Sequence, residues 1–153
     1  MKKILYATVD SWSPTLLRIL AGLILFPHGA QKLLGWFGGF GFTGTIAFFT
    51  QTMGFPWWLG CLIILIEFFG SIALVIGLGT RIIAATMLVL MTGIILTSHL
   101  QYGFFMNWFG NQKGEGYEYF LLYIAISFSL LMTGGGKYAV DRQLAPAKPT
   151  PRS

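Results

Sequence analysis

The sequence predicts an all-α, polytopic membrane protein. The expected architecture is an antiparallel bundle of four transmembrane helices, with a short interfacial helix in the first outer loop. Three observations carry that expectation. Of the 153 residues, 55% are hydrophobic and only 10% are charged, against roughly 25% in a soluble domain. So few charges cannot cover a water-facing surface. Four stretches stay apolar over about the 20 residues that a membrane helix needs. The cations, finally, fall on one side of those stretches, as they do in multi-pass proteins. The composition also excludes other classes. Cys61 is the single cysteine, so an intrachain disulfide, a CxxC thiol relay and a cysteine-rich metal cluster are all ruled out.

Taken in order, residues 1–14 read as a cytoplasmic N-terminal segment. Lys2 and Lys3 precede only Ile4-Leu5-Tyr6-Ala7 before polar residues begin, so a cleaved signal peptide is not expected. The first span is expected at about 15–34 and the second at about 57–78. Between them, Phe42, Ile46, Phe49 and Met53 are spaced 4, 3 and 4 apart, one apolar helical stripe. Residues 41–54 therefore read as a short helix on the outer membrane surface, with Pro56-Trp57-Trp58 anchoring the next span. Gly77-Leu78-Gly79-Thr80 makes a tight turn into the third span, at about 81–99. The second outer loop, 101–116, holds Tyr102, Phe104, Phe105, Trp108 and Phe109. Such aromatics favour the headgroup level, so this loop should fold back onto the bilayer. The fourth span, at about 117–133, completes a transmembrane domain over 15–142. Residues 143–153, with prolines and cations, read as a disordered cytoplasmic tail.

With four spans, both termini and the turn between spans two and three share one side. That side collects Lys2, Lys3, Arg18, Arg81, Lys137, Arg142, Lys148 and Arg152, and the other only Lys32 and Lys113. The bias places both termini in the cytoplasm. It also assigns the net charge of +5 to topology, so no nucleic-acid partner is expected. Arg18 and Arg81 read as snorkelling anchors, and Asp10 and Asp141 as solvated. Arg18-Ile19-Leu20-Ala21 echoes Arg81-Ile82-Ile83-Ala84, a hint of a parallel hairpin repeat.

Charges within lipid cost at least about 2.5–3.5 kcal/mol each, so they face the bundle interior and mark candidate function. His28 and Glu67 each lie ten residues from a span edge, roughly 15 Å deep, and meet at one level. Lys32 is one turn beyond His28 on the same helix face. His99 and Glu118 sit at the outer ends of spans three and four. The five form a polar seam opening outward, with His28 and Glu67 as a candidate proton donor/acceptor pair. Lys32, His99 and Glu118 are the candidate substrate-binding groups. Pro27 should kink span one beside His28, and Gly22, Gly29, Gly35, Gly60 and Gly70 permit close helix approach. The plain alternative is a Glu–Lys or Glu–His pair that only bolts helices together.

At these residues the chain resembles the DoxX family of small membrane proteins. His28-Gly29-Ala30-Gln31-Lys32-Leu33 resembles its HGxxKL pattern. Glu67, in a span ending Gly77-Leu78-Gly79-Thr80-Arg81, also fits, as do His99 and Gly116-Tyr117-Glu118. The closing 134–141 stretch resembles a GxGxxSxD ending, with Ala139 in place of the small hydroxyl residue and Gly135 where proline is frequent. The resemblance implies a four-helix bacterial inner-membrane protein. Family members include the small subunit of a thiosulfate:quinone oxidoreductase and a partner in a membrane oxidoreductase complex linked to thiol and oxidative stress.

Three functions follow as expectations. The first is a quinone- or redox-linked membrane subunit in which His28 and Glu67 exchange protons with a quinone head group. Any electrons then come from a protein partner, because the chain has no dinucleotide fingerprint and no CxxCH. Haem is not expected, since His28 and His99 differ by roughly 12 Å in depth. The second is a small transporter or metal- or anion-binding module, although no HxxxH or ExxH spacing marks a metal site. The third is a structural or assembly partner of a membrane complex. The lipid bilayer is the one firm partner, and self-association is left open.

Overall fold

The computed structural model describes residues 5–145. Lys2, Lys3, Lys148, Arg152 and the tail at 146–153 lie outside the described residues. Among those described, the chain is all-helical, with no strand.

Helix α1, Trp12–Leu34, begins where the Ser11 hydroxyl accepts the Ser13 N–H at 3.3 Å. It runs unbroken through Pro27. The sharp turn comes later, at Gly35, whose φ of 75° suits glycine. There the chain bends by 93° into Trp36–Thr52. That stretch is a 3₁₀ turn, then α2, Gly41–Ala47, then a π-turn, Phe48–Thr52. Its apolar stripe does not simply face outward. Ile46 and Phe49 are buried against Ile64, with Met53 packed alongside, while Phe40 and Phe48 stay exposed.

Helix α3, Trp57–Ile76, and α4, Thr80–Ile94, follow. The latter continues through a π-turn, Ile95–His99, to Tyr102. Trp57–Ile76 and Thr80–Tyr102 are each long and apolar enough to cross a membrane, and the bent pair Trp12–Leu34 plus Trp36–Thr52 qualifies when taken together. Helix α5, Glu118–Thr133, is apolar but only 16 residues long. A last short helix, α6, Val140–Leu144, reaches into the segment expected to be disordered.

The hairpin neighbours α3 and α4 share little packing. The extensive contacts join α1 to α3 and α4 to α5. Glycine sets the first of these. A Cβ on Gly29 would lie 2.6 Å from the Phe68 Cα, and one on Gly22 would lie 2.6 Å from the Ser71 carbonyl oxygen. The two backbones therefore touch where a side chain would hold them apart. The core between the pairs is Ala21, Leu25, Leu74, Ala84, Met87, Met91, Tyr123 and Leu130.

The Arg18 end of the bundle corrects two expectations. Arg18 is not a snorkelling anchor: it is only 2% exposed. Its guanidinium donates to the carbonyls of Gly135 at 2.8 Å, Leu74 at 3.0 Å and Lys137 at 3.3 Å, and to that of Val75. It thus caps the C-terminal turn of α3, where free carbonyls concentrate negative charge. Asp141 is not solvated but buried, and accepts the N–H groups of Gly79 at 2.6 Å and Thr80 at 2.8 Å. That places a carboxylate at the N-terminus of α4, the favoured end for an anion. Arg81 is half-buried and donates to the carbonyls of Ala7, Leu131 and Met132. The glycine-rich ending is thereby explained. A Cβ on Gly135 would meet the Ala139 Cβ at 2.6 Å, so residues 134–141 fold tightly enough to deliver Asp141. Asp10 pairs with Arg142 at 2.8 Å, which raises the pKa of that guanidinium above its ordinary value.

Candidate functional site

The site lies toward the opposite end of the bundle and follows from helix phase. On α1, the buried positions Arg18, Gly22, Leu25 and Gly29 define one stripe, and Lys32 continues it at i+3. On α3, Gly60, Ile64, Glu67, Ser71 and Leu74 form the matching stripe. Gly29 rests on the Glu67–Phe68 backbone, its added Cβ only 2.7 Å from the Glu67 carbonyl carbon. One of the two close approaches of α1 and α3 therefore falls at Glu67–Phe68, and the other at Ser71.

There the Lys32 ammonium and the Glu67 carboxylate form an ion pair. Its two ends differ. The Glu67 side chain is 3% exposed and that of Lys32 is 29% exposed, so the carboxylate depends on lysine while the lysine can also reach outside. His28, level with the pair, sits on the exposed flank of α1 and lies outside salt-bridge range of Glu67.

The pair opens on a cavity of about 310 Å³. Its polar lining is His28, Lys32, Glu67, His99, Glu115 and Tyr119, and its apolar lining is Leu25, Met91, Ile94, Met106 and Phe120. The volume is at the small end of the roughly 300–1,000 Å³ typical of ligand sites. A second cavity of about 280 Å³ lies between α1 and the bent segment, lined by Gln31, Lys32, Gly38, Gly39, Phe40, Thr45, Phe48 and Phe49. Lys32 is in the wall of both.

His99 closes α4's terminal π-turn, a feature that often marks functional positions. Its Nδ1 is 2.8 Å from the Glu115 carbonyl oxygen. A carbonyl only accepts, so Nδ1 carries the proton, and in the neutral ring Nε2 is left as an acceptor. The ring lies 4.4 Å from that of Phe120.

Glu118 is the sequence-predicted residue placed elsewhere. It is not among the cavity-lining residues. As the first residue of α5, it accepts the Met106 N–H at 3.1 Å and the Trp108 Nε1–H at 3.3 Å. Those bonds, with Glu118 N–H to the Phe104 carbonyl at 2.9 Å, fold the 103–117 loop over the helix end. The polar lining residues that sequence reasoning missed are Tyr119 and Glu115. A signal for Tyr119 was present: it lies on the stripe with Tyr123, Ser127 and Leu130, the buried residues of α5. Glu118 is one residue, about 100°, off that stripe. Among the described residues, no three His, Cys, Asp or Glu side chains gather as a metal-binding set.

The DoxX family model matches residues 13–100 of the chain, which carry His28, Lys32, Glu67 and His99. A Bacillus subtilis (strain 168) protein named "Putative oxidoreductase CatD" is 33% identical over 126 residues, covering 82% of each chain. No solved structure matches the chain.

Proposed function

The chain belongs to the DoxX family, and from that premise we propose that it is the quinone-linked membrane subunit of an oxidoreductase. The observation that carries this reading is a single small cavity holding an ion pair, two histidines and a phenol between apolar walls. A quinone ring that accepts two electrons also takes up two protons at its oxygens. The electrons come from a protein partner. The protons pass through the residues of this chain, with His28 and Glu67 as donor and acceptor within the cavity. Lys32 keeps the Glu67 carboxylate oriented and polarises a ring oxygen. His99 supplies the acceptor Nε2. The relative's name, with its word oxidoreductase, supports the same class.

In this reading the chain crosses the inner membrane four times, with both termini cytoplasmic. Helix α5 spans about 24 Å at 1.5 Å per residue, short of a hydrocarbon core of about 30 Å. Local thinning of the bilayer accommodates the difference. The cavity then opens toward the outer face, and the Phe40–Phe48 wall of the second cavity faces the headgroup region. From that region a lipid-soluble ring reaches Lys32 sideways. The competing transporter or anion-binding reading is weaker, because Lys32 is already held by Glu67.

Mass spectrometry of small molecules retained through purification in mild detergent tests the proposal. An isoprenoid quinone near one per chain is expected. Retention of a metal or an inorganic anion in its place contradicts it.

A further inference from the structure

We propose that the Tyr119 hydroxyl is the cavity's dedicated hydrogen-bond donor and selects a neutral, carbonyl-bearing ring over an anion. This deepens the quinone reading and rests on it only for the identity of the ring. The Tyr119 hydroxyl is buried and has no hydrogen-bond partner, and Tyr119 is one of the residues around the cavity. Buried hydroxyls left unpaired are costly and scarce in native proteins. Among the described residues only one other buried side-chain atom shares this state, the hydroxyl of Thr80, at the far end of α4. Tyr123, one turn along the same stripe, donates its hydroxyl to the Ala21 carbonyl at 3.3 Å. That phenol serves the fold, and Tyr119 has no such duty.

The rest of the wall says which ligand completes it. Lys32 and Glu67 neutralise each other. His99 has its Nδ1 committed to the Glu115 carbonyl, so that in the neutral ring only the acceptor Nε2 remains. The Glu115 carboxylate accepts the Asn107 N–H at 2.7 Å. An entering anion therefore meets two carboxylates and no uncommitted lysine or arginine, which disfavours it by charge and by desolvation. A neutral ring loses little on leaving lipid, packs on Leu25, Met91 and Phe120, and gives Tyr119 the acceptor it lacks.

The test is binding of menadione, the redox-inert ketone α-tetralone, and thiosulfate to the detergent-purified full chain and to its Tyr119→Phe variant. Phenylalanine keeps the wall and removes only the hydroxyl. Both ketones are expected to bind the unaltered protein and to bind the variant at least about tenfold more weakly, the effect of one hydrogen bond. Thiosulfate should not compete, and the unfolding midpoint of the variant should not fall. Equal ketone binding by both proteins overturns the inference and leaves the quinone reading standing. Tyr119-dependent binding of α-tetralone without menadione does the reverse. A lowered midpoint, displacement by thiosulfate, or failure of both ketones to bind the unaltered protein also overturns it.

Discussion

Lys32→Ala is expected to destabilise the protein by about 3–5 kcal/mol, the cost of stranding one partner of a buried ion pair. The reason is the asymmetry of the pair. With the lysine gone, a carboxylate whose side chain is 3% exposed has no other cation beside it. Glu67→Gln is expected to be milder, about 1 kcal/mol, the difference between a charged and a neutral hydrogen bond. Its amide oxygen still accepts from Lys32, and the lysine, 29% exposed, can reach outside the fold. The double variant Lys32→Met, Glu67→Leu should recover to within about 1 kcal/mol of the original, because apolar replacements of a buried pair are commonly neutral. Chemical unfolding in detergent checks all three. Recovery of stability together with ligand binding reduces the pair to a helix bolt; recovery without binding separates the site from the fold.

Arg18→Ala should carry a cost of similar size at the other end of the bundle, about 3–5 kcal/mol. Four carbonyls would lose their donor at once, and two of them belong to the last turns of α3. For a chain of this length the corresponding fall in melting temperature is on the order of 10 °C. Arg18→Lys should recover only part of it, since an ammonium keeps the charge but cannot fork toward carbonyls on two segments. Thermal unfolding followed by circular dichroism measures both. A loss under 1 °C for Arg18→Ala would contradict the structural role given to this residue.

The two predictions mark what was legible in the sequence. Glu67 and Lys32 could be brought together from helix rise and phase alone, because both lie on the glycine-bearing stripes that force α1 against α3. Arg18 lies on the same stripe as Gly22 and Gly29, so its burial was also written in the phase. A charge count by membrane side discards that information, which is why it read as an anchor. Asp141 was harder to place. Its burial depends on a tight turn meeting the start of α4, a contact between segments 61 residues apart. Glu118 was placed by depth without phase: it begins α5 about 100° from the buried stripe and accepts from Met106 and Trp108. The stripe of α2 was read correctly as helical. Its packing onto Ile64 is a tertiary outcome that periodicity alone cannot distinguish from facing lipid.

The cavity is therefore best judged by chemistry. The most direct measurement is the affinity of a short-tailed quinone for the unaltered protein and for a His28→Ala, Glu67→Gln variant in lipid nanodiscs, with unfolding midpoints recorded alongside. The account predicts saturable binding near one per chain, weakened by at least about tenfold in the variant, with the midpoint lowered by no more than about 4 °C. Equal affinity in the two proteins, with both folded, would contradict it.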